Sequence, residues 1–131
     1  MQSVFTSLSE LAKLLGLAEE YCRRADLPDS LTFKTQVVLE ELFVNTFKHG
    51  YQEKEGQAIV TLEAEKEYLF IRYADHAPAF DPLAKETPDL RKRFAEGIPG
   101  GAGLVLLRSM TQGLCYFRKE DSNIIEMRIT A

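Results

Sequence analysis

Positive charge is in short supply in this sequence: 16 Lys and Arg stand against 20 Asp and Glu, for a formal net charge of −4. A protein that grips nucleic acid or an anionic membrane through phosphates needs a basic patch or a high pI, so neither is an expected direct partner. Long apolar runs are also missing. The longest, Leu104 to Leu107, is far too short to cross a bilayer, and Met1 to Glu10 has neither the positive start nor the apolar core of a signal peptide. The expected location is therefore the cytoplasm. Cysteine is scarce: Cys22 and Cys115 lie far apart and outside any CxxC or metal-ligand spacing. Two reduced, half-buried thiols are expected rather than a disulfide or a zinc cluster. Repeats, low-complexity tracts and interdomain linkers are lacking as well.

What is present is ordinary for a folded protein. Apolar residues make up 45% and charged residues 27% of 131 positions, too apolar for intrinsic disorder and the size of one domain spanning 1–131. From Phe5 to Ala25, Leu8, Leu11, Leu14, Leu15, Ala18, Tyr21 and Cys22 recur at helical spacing, with Thr6 or Ser7 as N-cap. The spacing predicts an amphipathic helix, whose Leu8, Leu11 and Leu15 could serve either core packing or a homodimer face. After the break at Leu27-Pro28-Asp29-Ser30, a second helix is predicted from about Thr32 to His49, stopping at Gly50.

Gln57 to Glu63 and Tyr68 to Tyr73 alternate and read as a hairpin turning at Glu65-Lys66-Glu67. Asp75 to Pro82 reads as a loop, Asp89 to Glu96 as a short charged helix and Leu104 to Met110 as a helix. Leu114 to Lys119 and Ile124 to Thr130 form a second hairpin across Asp121-Ser122-Asn123. Helices and antiparallel hairpins in separate runs predict an α+β fold, a two-layer α/β sandwich with helices on one face of the sheet.

Three groups of residues could carry chemistry. On the second helix Glu41, Asn45, Lys48 and His49 fall within about a third of the circumference. The stripe has apolar shoulders, Val37 and Val44 on one side and Val38 and Leu42 on the other. It suits polar groups lining a cleft or the exposed edge of an amphipathic helix. Asp75, at a strand end, is either a turn residue or an acceptor for an exocyclic amine, which would favour adenine over guanine. Gly100-Gly101-Ala102-Gly103 runs into the apolar helix at Leu104, where backbone N–H groups and the helix dipole could hold phosphate or where the glycines form a hinge. No Lys-Ser or Lys-Thr follows, so this is not a Walker A loop, and no strand precedes it as a Rossmann fingerprint requires.

In this order, Glu41-x-x-x-Asn45-x-x-x-His49-Gly50, Asp75 to Phe80 and Gly101-x-Gly103-Leu104 resemble the N, G1 and G2 boxes of the GHKL ATPases. The short lid and the Phe80-Asp81-Pro82 ending look most like the anti-sigma factor serine/threonine kinases of that superfamily. The resemblance implies the Bergerat, or histidine-kinase-like ATPase, fold with a mixed, mainly antiparallel sheet. It further implies ATP and Mg²⁺ as ligands, with Glu41 as general base and Asn45 offering an oxygen to Mg²⁺. By the same resemblance Asp75 reads the adenine amine and Phe80 packs near the base. Ala77 belongs to the base loop, Lys48 and His49 sit near the phosphates, and Gly100, Gly101, Ala102, Gly103 and Leu104 cradle them. The implied function is phosphorylation of a STAS-type anti-sigma factor antagonist in a pathway whose other partner is a sigma factor. The alternative is a regulatory binding module that uses nucleotide without transfer or does not bind it. Two positions depart from the family pattern: Ala77 stands where glycine is usual, and Ile98-Pro99 occupies the stretch where some members carry an arginine. Arg91 or Arg93 in the implied lid could supply that charge.

Overall fold

The computed structural model describes residues 1–79 and 102–131. Strand β1 (Gln2–Phe5) and a 3-10 turn (Leu8–Glu10) lead into helix α1 (Leu11–Arg24), followed by α2 (Asp29–Val44) and a π-helical turn (Asn45–Gly50). Strands β2 (Ala58–Ala64) and β3 (Tyr68–Asp75) form the first hairpin. Helix α3 (Ala102–Met110) then precedes β4 (Gln112–Lys119) and β5 (Ser122–Thr130). The strands build one sheet in the order β1-β2-β3-β5-β4, and each neighbouring pair is antiparallel. The helices cover one face, so the two-layer α+β sandwich expected from the sequence is the fold, and among the described residues the sheet is antiparallel throughout.

The core follows from the alternation of the strands. Val60, Leu62, Leu69, Ile71, Tyr73, Ile125, Met127 and Ile129 point inward and meet Leu14 and Ala18 of α1 and Val38, Leu39, Leu42 and Phe43 of α2. A line of aromatics ties the first strand to the site region: ring centroids lie 5.7 Å apart for Phe5 and Phe43, 4.7 Å for Phe43 and Phe47, and 5.4 Å for Phe47 and Tyr51. Such edge-on and tilted contacts are favoured by the ring quadrupoles and fix the start of the π turn against β1. Leu8, Leu11 and Leu15 are half-buried and pack against this core.

Four expectations need correction. Phe5 does not begin the first helix; it ends β1, which is too short for alternation to reveal, while Glu10 Oε1 accepts both the Thr6 amide at 2.7 Å and its hydroxyl at 3.1 Å. The second helix starts three residues early, at Asp29: Pro28 takes the extended backbone of an N-cap, φ −59° and ψ 149°, and an acid is favourable in the first turn. The second hairpin turns at Glu120 and Asp121, whose φ values of 50° and 66° give a primed two-residue turn. Ser122 and Asn123 are therefore strand residues. Finally, Cys22 is fully buried and Cys115 exposed, so neither thiol is half-buried. Burial pushes the Cys22 thiol up, which keeps it protonated and unreactive.

No helix of the described residues is long and apolar enough to cross a membrane. The charged helix expected at Asp89 to Glu96 lies outside the described residues.

Candidate functional site

A cavity of about 420 Å³ opens between the end of α2, the loop after β3 and the start of β5. Leu42, Leu107 and Ile125 supply apolar wall; Asn45, Thr46, His49, Asp75 and Asn123 supply polar groups. That volume and this ratio of apolar wall to convergent polar groups are those of a small-molecule site.

At its floor lies Asp75, the last residue of β3 and only 8% exposed. Its Oδ2 accepts the Thr46 hydroxyl at 2.7 Å; Oδ1 accepts the Ala77 amide at 3.1 Å and Asn123 Nδ2 at 2.9 Å. The donor directions are fixed from behind. The Tyr73 hydroxyl donates to Thr46 Oγ1 at 2.7 Å, and burial pushes Tyr73 so far up that it stays a phenol. Thr46 must then send its own hydrogen to Asp75. A carboxylate offers about four lone-pair directions and three are filled here, which leaves one free to accept an N–H from a ligand in the cavity.

Asn123 orders the loop as well as the acid. Its Nδ2 also reaches the carbonyls of Ala77 at 3.0 Å and Pro78 at 3.1 Å. Its Oδ1 accepts the Tyr116 hydroxyl at 2.6 Å and Arg118 Nη1 at 3.0 Å, which fixes the amide orientation. Arg118 Nη1 donates to the Ala77 carbonyl too, at 3.2 Å. The loop 76–79 is thus held on both edges, with His76 ring nitrogens 3.0 Å from Ser122 Oγ and 3.2 Å from Gln57 Oε1.

The π-helical turn explains which members of the sequence stripe reach the cavity. Tyr51 donates its amide to Thr46 O at 2.8 Å, and the turn is wider than an α-turn. Constant 100° spacing therefore fails beyond Asn45, and a widened turn inside a helix is frequent where a site is built. Asn45 and His49 line the cavity; Glu41 and Lys48 do not. Glu41 sits one α-helical turn before Asn45, partly buried. Ala77 is buried in the wall, and Gly50 faces it so closely that a Cβ on Gly50 would stand 2.7 Å from Ala77 Cβ.

A model of the histidine kinase-like ATPase domain matches residues 6–129. The chain belongs to that family. It is thus a GHKL-type ATP-binding domain. A serine/threonine-protein kinase, BtrW of Bordetella bronchiseptica, is 29% identical over 94 residues, 71% of this chain and 66% of that protein, so the match spans just under two thirds of its length. Two solved histidine kinase structures share the fold. The catalytic domain of ThkA in a nucleotide-free form superposes with a TM-score of 0.55 at 19% identity, covering 99% of this chain and 95% of that one. AdeS of Acinetobacter baumannii gives 0.52 at 14% identity, covering 99% and 67%.

In this ATPase domain Phe80, Gly100 and Gly101 lie outside the described residues. Ala102 and Gly103 form the first turn of α3 rather than a loop before it, with Leu104 following, so the helix begins two residues earlier than expected. The residues that sequence reasoning passed over are Thr46, Tyr73 and Asn123, along with the contact of Gly50 with Ala77. Asn123 left a signal: it occupies an inward position in the alternation Asn123, Ile125, Met127, Ile129, where a polar side chain must find partners.

Magnesium fits the donor set. Among the described residues no three His, Cys, Asp or Glu side chains cluster to hold a metal, and Mg²⁺ is usually carried by one or two protein oxygens together with phosphates and water. Asn45 lines the cavity, and its side-chain oxygen would be such a donor.

Burial, and secondarily the Glu40 charge, pushes the Glu41 carboxyl above the usual carboxylate value. A raised value in the folded chain means stability that is full below the unfolded carboxylate value and is lost as pH rises through the folded one. Glu41→Gln escapes that loss. Its Tm is expected to exceed that of the parent by up to a few degrees at about pH 7, the gap closing near pH 4. Thermal melts across that range check this, and a gap independent of pH would contradict it.

Proposed function

We propose that this domain is an ATP-dependent protein serine/threonine kinase. Asp75 carries the reading: a buried carboxylate, oriented by three donors, keeps one acceptor direction open to the cavity, which suits the exocyclic amine of adenine and offers nothing comparable to guanine. Asn45, which opens the π turn and lines the same cavity as Asp75, would hold Mg²⁺, which would supply charge neutralisation to the phosphates during transfer. Glu41 stands one helical turn before Asn45 and, in this reading, is the base. His49, which also lines the cavity, would serve the phosphate end; Lys48 does not line it.

The acceptor hydroxyl oxygen attacks the γ-phosphorus, the bond from that phosphorus to the β–γ bridging oxygen breaks, and ADP leaves. The hydroxyl proton passes to Glu41. A carboxyl raised by burial is a stronger base than a solvated one, so its shift serves this role once ionised. Similarity to BtrW, named as a serine/threonine-protein kinase, supports a protein hydroxyl as acceptor. Within this reading the acceptor is a STAS-type anti-sigma factor antagonist, a sigma factor is the competing partner, and the setting is the cytoplasm.

The test is transfer of label from γ-labelled ATP to a candidate antagonist. Serine or threonine labelling is expected, falling about 10²- to 10⁴-fold in Glu41→Gln while ATP binding is retained. Full transfer by that variant would remove Glu41 as the base. ATP binding without label in any candidate antagonist would favour the regulatory module over the kinase.

A further inference from the structure

Tyr51, the residue after the π turn, stands in the strand ladder at the edge of the base loop. Strands β2 and β3 pair from Ala64 opposite Leu69 to Ala58 opposite Asp75, and at the hairpin end the Glu65 amide donates to the Tyr68 carbonyl at 2.8 Å. Hydrogen-bonded and open pairs alternate along an antiparallel ladder. Counted from Glu65 and Tyr68, the pair Gln57 and His76 falls on a hydrogen-bonded position, where the His76 amide would donate straight to the Gln57 carbonyl. Instead it donates to the Tyr51 hydroxyl at 2.8 Å, and that hydroxyl donates to Gln57 O at 2.7 Å. Two bonds in series stand where one of about 2.9 Å would close the rung, and the strands part directly after Asp75.

Local sequence holds this wedge in place. Gln52 and Glu53, with φ of 54° and 65°, reverse the chain and bring Gly56 back against the Tyr51 ring. A Cβ on Gly56 would lie 2.3 Å from Tyr51 Cε2, so the close approach requires glycine, and Phe47 backs the ring with centroids 5.4 Å apart. Freed from β2, the chain after His76 turns toward β5. There Asn123 Nδ2 takes the carbonyls of Ala77 and Pro78, and the Ala77 amide closes on Asp75 Oδ1. A closed rung would extend β3 by one residue and draw Ala77 N off that carboxylate. We infer that Tyr51 is a positioning residue for ATP: its hydroxyl fixes where the base loop leaves the sheet and so keeps Asp75 in the orientation that meets the adenine amine. This rests on the reading of Asp75 as the adenine acceptor.

Titration calorimetry with ATP and GTP, beside thermal melts, tests this on the parent, Tyr51→Phe, Gly56→Ala and the double variant, with Asp75→Asn alongside. Tyr51→Phe keeps the ring and loses the hydroxyl: ATP affinity is expected to fall about tenfold, the preference over GTP to narrow, and Tm to move by at most a few degrees. Gly56→Ala displaces the ring together with its hydroxyl, so it should lose ATP affinity comparably, and stability as well. Made in Tyr51→Phe, it should cost the same stability but no further affinity, because the hydroxyl is already gone. A ring that served packing alone would give Gly56→Ala the same effect on ATP in both backgrounds, and such additive affinity losses would overturn the inference. So would a Tyr51→Phe protein that binds ATP and rejects GTP as the parent does, with water standing in for the hydroxyl. Asp75→Asn tells the two readings apart. If it binds ATP like the parent, the adenine reading falls and the role of Tyr51 with it; if it loses ATP while Tyr51→Phe does not, the role of Tyr51 alone is overturned.

Discussion

Asp75→Asn is expected to abolish ATP recognition, lowering affinity 100-fold or more, about 2.8 kcal/mol, and erasing preference over GTP. The substitution keeps the shape of the side chain and changes one atom. With the amide oxygen facing Ala77 N and Asn123 Nδ2, the new NH₂ takes the place of Oδ2, where Thr46 now donates. Two donors then confront each other, and the acceptor direction that a ligand amine would use is gone. Thr46 cannot adapt without cost, because its oxygen is already engaged by Tyr73 and its hydrogen would need a new acceptor. Losing hydrogen bonds to a buried charge costs about 1.5–3 kcal/mol of stability, so Tm should fall with affinity. Calorimetric titration with ATP and GTP, run beside thermal melts, separates the two effects. A variant that melts early yet binds ATP like the parent would make Asp75 purely structural and withdraw the adenine reading.

How far the sequence reveals this site depends on which physical signal each residue leaves. Asn45 and His49 were legible because an α-helix repeats its faces at a fixed angle, and a narrow polar stripe between apolar shoulders is visible in one dimension. Legibility stops where the helix widens. The π turn at Asn45–Gly50 follows from tertiary packing of Phe47 and Tyr51, which local spacing does not encode. Hence Lys48 was grouped with the site and Thr46, on the apolar shoulder, was not. The sheet was legible as two hairpins, since alternation marks which residues face inward. It missed β1, whose four residues give too little alternation, and shifted the last turn, because Glu120-Asp121 lacks the Asn-Gly chemistry that usually announces a primed turn. That shift hid Asn123 as a turn residue although it is the amide that orients Asp75. Gly50 was read as a helix stop; its closeness to Ala77 is a contact between residues 27 positions apart, beyond any local pattern.

That contact makes Ala77 and Gly50 a matched pair, and exchanging them should show it. Gly50 has no need of glycine for its backbone, since it ends a π-helical turn and is not among the residues with positive φ. It needs the missing Cβ: in Gly50→Ala the new methyl would lie 2.7 Å from Ala77 Cβ, closer than real Cβ atoms approach. Either the π turn or the loop 76–79 must move. Overpacking of this kind costs about 1–3 kcal/mol. The loop cannot yield freely, because Ala77 N is bonded to Asp75 and Ala77 O to Asn123 and Arg118, so displacement is transmitted to the carboxylate that faces the ligand. Gly50→Ala alone should therefore lose stability and about tenfold or more in ATP affinity, near 1.4 kcal/mol. Ala77→Gly alone removes a methyl and frees the loop, a smaller loss of about 0.4–1 kcal/mol. The double variant Gly50→Ala with Ala77→Gly moves the methyl across the contact without adding volume, and should recover most of both losses. In a double-mutant cycle the coupling is expected at about 1–3 kcal/mol, far from additivity. Melts and ATP titrations of the four proteins measure it. Additive losses would mean that the two positions act separately, and that the glycine usual at position 77 in this family is replaced here without any compensation from Gly50.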